Sequence, residues 1–188
     1  MFFSLSNLEM SECDWKHRFE IMKEIIVSVE RVIYKLEKIC TPEECPKMIA
    51  SDEWHFLCAP HADKPRDCAA IDYMKHTVDS TCSLLLAIGS GDSVNFPKQF
   101  PSIIRRLYRI YGHIYFHHNR IFEEEFASAA RFYFFLKKSG LFKQDMMIIP
   151  ENVFEKDNHS GTIVDLRTIA IQLSQDDDEE TTMDTTVM

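Results

Sequence analysis

Apolar residues recur at helical spacing through most of the chain, and proline- or glycine-bearing polar stretches interrupt them. From Trp15 to Ile39, Phe19, Met22, Ile25, Ile26, Val29, Val32, Ile33 and Leu36 share one stripe, while Glu20, Lys23, Glu24, Glu30, Arg31 and Glu37 take the other faces. That spacing predicts a long amphipathic helix. Pro42 and Pro46, in Cys40-Thr-Pro-Glu-Glu-Cys45-Pro46, stop its propagation. Residues 47–70 hold no period. Within them Glu53 to Cys58 reads as a short strand, Pro60 to Pro65 as a loop, and Asp67 to Ala70 as the opening of the next helix. Residues 69–87 predict that helix, burying Ile71, Met74, Val78 and the run Leu84 to Ala87, and Gly89-Ser-Gly91-Asp92 ends it. Phe96 to Pro101 reads as a connector. A second strong helix is predicted from Ser102 to about Phe126, with Ile103, Leu107, Ile110 and Ile114 as its core stripe. Residues 126–139 continue helical as far as Lys137-Lys138-Ser139-Gly140, where cations in the last turn and a following glycine form a C-terminal signature. Leu141 to Val153 is a short packed finish.

The domain organisation follows. Residues 1–14 have no sustained period and read as a loose extension, 15–155 as one all-α domain, and 156–188 as an acidic, mostly disordered tail with a loose helical stretch from Val164 to Leu173. No internal repeat is visible.

Composition narrows the class. The 188 residues, with 45% hydrophobic and 27% charged, suffice for one soluble domain with a real core. No run reaches the roughly 18–20 apolar residues of a membrane span, and the short apolar start lacks the basic flank of a signal peptide. A cytoplasmic location is expected, and in that compartment six cysteines point to metal binding or free thiols rather than disulfides. The net charge of −9, part of it in the five consecutive acids Asp176 to Glu180, argues against nucleic acid as a partner.

Two patterns carry chemistry. Cys40 and Cys45 form a Cys-x4-Cys pair, and His113-Ile-Tyr-Phe-His117-His118 follows some seventy residues later. Two thiolates and two imidazoles compose a closed tetrahedral zinc site of the structural kind. At helical pitch His113 and His117 lie about 40° apart, and His113 and His118 about 140° apart. Spacing alone therefore favours His117, unless the helix bends or ends there. The bland alternative is free core cysteines beside satisfied histidines. Cys58, Cys68 and Cys82 show no comparable partner and read as structural.

The second pattern is Arg105, Arg106 and Arg109, within about 100° of arc on the same helix. They face away from the core stripe, with Tyr108 alongside. Clustered guanidinium groups repel one another unless an anion docks among them, and their forks suit phosphate oxygens. The alternative is a solvated face paired with Glu123, Glu124 or Glu125.

Together these residues resemble the Mob/phocein family, and its phocein branch most closely. The likeness covers about Trp15 to Pro150. It rests on Cys40-x4-Cys45, on Trp54-His-Phe-Leu-Cys58-Ala, on Lys64-Pro-Arg-Asp-Cys68-Ala-Ala-Ile-Asp72-Tyr73, and on Arg105-Arg106-Leu-Tyr-Arg109-Ile-Tyr-Gly-His113-Ile-Tyr-Phe-His117-His118. The resemblance implies an all-α helical bundle with a small hairpin-like excursion and one structural zinc held by Cys40, Cys45, His113 and His118. That choice of His118 runs against the preference from spacing and leaves His117 to packing or support. The resemblance further implies a non-catalytic adaptor that docks a germinal-centre-type kinase or a striatin-like scaffold. It reads phosphothreonine or phosphoserine peptides through Arg105, Arg106 and Arg109, as part of a striatin-based phosphatase and kinase assembly linked to membrane traffic. Peripheral association with Golgi or other membranes is compatible with that role. The family's longer segment ahead of the first core helix has no family-like counterpart here, which puts contacts through it in question. Two other readings stand beside the adaptor. One is a purely structural subunit whose arginines pair internally. The other is a zinc hydrolase, disfavoured because four protein ligands leave no position for water and no His-Glu-x-x-His helix or nucleophile elbow is present.

Overall fold

The computed structural model describes residues 12–61, 63–89, 96–140 and 147–155, with the backbone alone at 12–15 and 96–97. Its described residues form helices α1 (Glu12–Leu36), α2 (Ala70–Gly89), α3 (Phe96–His117), α4 (Asn119–Glu124), α5 (Phe126–Ser139) and α6 (Glu151–Glu155). The fold is all-α. The described residues up to Ile149 belong to one compact unit, and α6 belongs to a second that starts at Pro150.

Helix α1 buries the predicted stripe: Met22, Ile25, Ile26, Val29, Val32, Ile33 and Leu36 are all inside. Each such side chain contributes roughly 1.5–3 kcal/mol by leaving water. The helix stops at Leu36, and one further turn (Cys40 N–H to Leu36 O, 2.8 Å) carries Cys40 inward until it is fully buried. Pro42 then prevents continuation.

Helix α3 is the hub, packing on α1, α2, α4 and α5. Its buried arc is wider than the predicted stripe. Phe100, Ile104, Tyr108, Tyr111 and His113 join Ile103, Leu107, Ile110 and Ile114 inside. Tyr108 and Tyr111 set their rings edge-on to Phe132 of α5, at 6.2 and 5.7 Å between centroids, a geometry that the ring quadrupoles favour.

Several expectations need correction. The connector predicted at Phe96 to Pro101 is the first part of α3, with Pro101 inside the helix. Pro97 falls in the first turn, whose N–H groups lack intrahelical partners anyway, while Pro101, the sixth helical residue, forfeits one intrahelical bond without ending the helix. The single helix predicted from 102 to about 126 breaks after His117 and again at Glu125. Glu53 to Cys58 forms no strand. It makes isolated antiparallel bridges, Ile49 with His55 and Cys58 with Arg66, which fold residues 48–66 into the hairpin-like excursion. The run Leu84 to Ala87 is not buried: Leu86 is 75% exposed and its neighbours are half-buried. At the other end of the chain Gly140 caps α5 at φ +65°, the left-handed conformation that glycine adopts without strain, and its N–H reaches Lys137 O. The predicted extension at 1–11, the finish at 141–146 and the acidic tail from 156 lie outside the described residues.

Candidate metal centre and arginine face

Cys40, Cys45, His113 and His118 converge, with one donor atom of each within 4.8 Å of all the others. Cys40 Sγ stands 3.5 Å from His113 Nε2, and Cys45 Sγ stands 3.5 Å from His118 Nε2. With bonds of about 2.3 Å to sulfur and 2.0–2.1 Å to nitrogen, donors around a tetrahedral zinc stand roughly 3.3–3.8 Å apart. The spacing therefore fits that ion.

The surroundings fit it as well. His113 Nδ1–H donates to Ile49 O at 2.6 Å, which fixes the tautomer and turns the Nε2 lone pair toward Cys40. Burial lowers His113 to about 4, so the ring is neutral, as a ligand must be. Burial likewise lowers His118. Burial first, and then the Cys45 thiol beside it, push Cys40 far up, while the Ile71 N–H at the start of α2 acts in the other direction. A dication reverses that balance by binding the thiolate directly. Ala70 N–H bonds Cys45 O at 2.9 Å, so the cysteine turn is also tied to α2.

Helix α3 delivers both histidines because it ends between them. His117 is its last residue, and His118, at φ −136° and ψ 54°, is the non-helical residue before α4. The 140° separation of an unbroken helix thus does not apply, and His118 turns back to the cysteines. His117 is outside the four-donor group, its ring 4.7 Å from that of His113. Gly112 lies inside α3, one residue before His113. It lets Ile148 approach: a Cβ there would meet Ile148 Cγ2 at 3.1 Å.

Arg105, Arg106 and Arg109 lie together on α3, all half-buried. Arg109 Nη1 donates to Tyr73 Oη at 3.1 Å, and its guanidinium lies over the Phe56 ring at 4.5 Å, an attraction between cation and ring face. Arg106 Nε is buried with no hydrogen-bond partner. Among the described residues none of the three pairs with a carboxylate. Glu124 and Glu125 pair instead with Arg31, Lys35 and Arg120, and Glu123 accepts from Asn119. Tyr108 does not accompany the arginines. It is buried, and its hydroxyl accepts from Ile149 N–H at 3.2 Å.

Cys58 and Cys68 are not isolated, contrary to the expectation from sequence. With His61 and His76 they form a second four-donor group. The sequence signal for this group is the short Cys58-x2-His61 spacing, whose other two donors arrive from the return limb and from α2.

The described residues thus combine an all-helical domain, a convergent group of two cysteines and two histidines, and a basic helix face without carboxylate partners. The chain belongs to the Mob1/phocein family, whose family model matches residues 10–155. It is 37% identical to MOB kinase activator-like 4 of Drosophila melanogaster over 158 residues, covering 75% of this chain and 66% of that protein. It is 33% identical to the MOB-like protein phocein of Caenorhabditis elegans over 160 residues, covering 76% and 66%. MOB kinase activator-like 1 homolog C of Dictyostelium discoideum is 29% identical over 138 residues, covering 65% and 64%. The chain thus spans just under two thirds of the length of these relatives. No helix among the described residues is long and apolar enough to cross a membrane.

Proposed function

We propose that the chain is a non-catalytic adaptor in which a structural zinc, held by Cys40, Cys45, His113 and His118, fixes α3 so that Arg105, Arg106 and Arg109 receive a phosphorylated peptide. The observation that carries this reading is the state of the three arginines: clustered, half-buried, and without a carboxylate partner among the described residues. Holding like charges together with one Nε buried and unsatisfied costs free energy. A phosphate offsets that cost by accepting several charge-assisted hydrogen bonds at once. A phosphothreonine or phosphoserine segment presents such an anion, and the local arginine cluster supplies the positive field that the protein's net charge of −9 does not.

The partners that suit this role are a protein kinase, a germinal-centre-type one in the reading from resemblance, and a striatin-like scaffold of a phosphatase and kinase assembly. A four-ligand metal leaves no coordination position for substrate or water, which supports a scaffold role over hydrolysis. Calorimetric titration of a phosphothreonine peptide tests the reading. Wild type binds the phosphorylated form at least about tenfold more tightly than the unphosphorylated one, the equivalent of about 1.4 kcal/mol. The Arg105→Ala/Arg109→Ala protein loses that preference. Equal, phosphate-independent binding by both proteins contradicts it.

A further inference from the structure

Outside the centre already described, the excursion between α1 and α2 gathers a second set of soft donors. Cys58 lies on its outgoing limb, His61 at its tip, Cys68 on its return, and His76 on α2. His61 Nε2 is 3.1 Å from Cys68 Sγ, and His76 Nδ1 is 3.5 Å from Cys58 Sγ and 3.9 Å from Cys68 Sγ. All four donors lie within 4.8 Å of one another. These separations bracket the roughly 3.3–3.8 Å between donors around a tetrahedral zinc.

We infer that Cys58, His61, Cys68 and His76 form a second structural zinc site, which ties the excursion to α2. The backbone prepares it. Cys58 and Arg66 exchange both of their hydrogen bonds, at 2.8 and 3.2 Å, so the chain returns beside itself and brings Cys68 under Cys58. The imidazoles of His61 and His76 stand nearly perpendicular, at 85° and 5.1 Å between centroids, as two rings converging on one point do. Two structural cysteines or a disulfide would not need a nitrogen aimed at each sulfur. Cys58 is fully buried and the other three are half-buried, the partial enclosure common in small zinc loops. Ligation releases the two thiol protons to solvent and leaves a site of zero net charge. Burial and the neighbouring Cys68 thiol push the Cys58 thiol up, with Arg106 and Arg66 opposing them, and a bound dication would hold the thiolate directly.

Such a site has consequences for the fold. The described residues between 48 and 66 form no strand and pair with one another through isolated bridges and short turns, less regular hydrogen bonding than a stable hairpin in water carries. An ion closing this loop supplies the missing constraint. It also steadies Phe56, whose ring underlies Arg109.

Metal content of the purified full chain, measured by plasma mass spectrometry, tests the inference. Wild type carries two zinc ions per chain, while Cys68→Ser and His61→Ala each carry one and retain their helical circular dichroism. Cys40→Ser also carries one, which separates failure of this site from failure of the first. Titration of metal-stripped wild type with cobalt(II) gives an independent readout: tetrahedral d–d and sulfur-to-cobalt bands grow up to two equivalents. Saturation at one equivalent, or an unchanged zinc count in Cys68→Ser, overturns the second site. So does a Cys58–Cys68 disulfide in the protein as purified.

Discussion

At the scale of single residues, position 118 completes the first four-donor group. His113 and His118 each place Nε2 3.5 Å from a cysteine sulfur, and His117 is outside the group. His118→Ala is therefore expected to lose one zinc and to melt at least about 10 °C lower, because the binding energy of a structural zinc is folding energy. His117→Ala keeps its full metal content. Metal analysis and thermal melts on the two proteins check both statements, and loss of zinc in His117→Ala alone would reverse the assignment. The donor types, and the two halves of the convergent group, were legible in the sequence. The choice between adjacent histidines was not legible from spacing, because helical pitch assumes an unbroken helix and this one ends at His117. The arginine cluster was legible as a group. The inward turn of Tyr108 was not, since its partner, the Ile149 amide, comes from a segment with no periodic signal.

At the scale of elements, the junction of α4 and α5 depends on a buried carboxylate. Glu125 is 5% exposed and meets Lys35 at 2.7 Å and Arg31 at 3.2 Å, both on α1. Removing both cations strands that charge, so Arg31→Met/Lys35→Met is expected to cost on the order of 3 kcal/mol in denaturant unfolding. Lys23→Ala, which breaks an exposed pair with Glu20 within α1, changes stability by less than about 0.5 kcal/mol. The clamp's pH dependence has a definite sign. The hydrogen bond to Glu125 raises Lys35 above 10.5, so its contribution is complete below that value and is lost as pH rises through the folded value. The hydrogen bond from Lys35 lowers Glu124 below 4.5, so its share is present above that value and is lost as pH falls through the folded one. The clamp is thus intact across the neutral range.

A second element-level test concerns Gly112. Alanine there gains up to about 1 kcal/mol of helix propensity but crowds Ile148. Gly112→Ala is expected to be near neutral in wild type and stabilising in an Ile148→Ala background, and a double-mutant cycle reads the difference. Periodicity located α1, α2 and the body of α3 because a packed stripe leaves a 3.6-residue signature. It misplaced the start of α3, because Pro97 sits in the tolerant first turn and Pro101 costs the helix a single bond without breaking it. It also assigned Leu84 to Ala87 to the core, since an apolar run states a preference for burial without naming the surface that supplies it.

At the scale of the whole molecule, a chain whose hub helix is reached from a cysteine turn some seventy residues away has few local contacts to hold that turn in place. In the proposed arrangement the first zinc is the staple that joins them, with the basic face of α3 kept rigid as a result. Thermal unfolding followed by helical circular dichroism, with and without a strong chelator, tests this most directly. Chelation is expected to strip zinc and to lower the melting temperature by at least about 10 °C. Protein that carries no zinc as purified, and melts at the same temperature with the same helical signal under chelation, would contradict it.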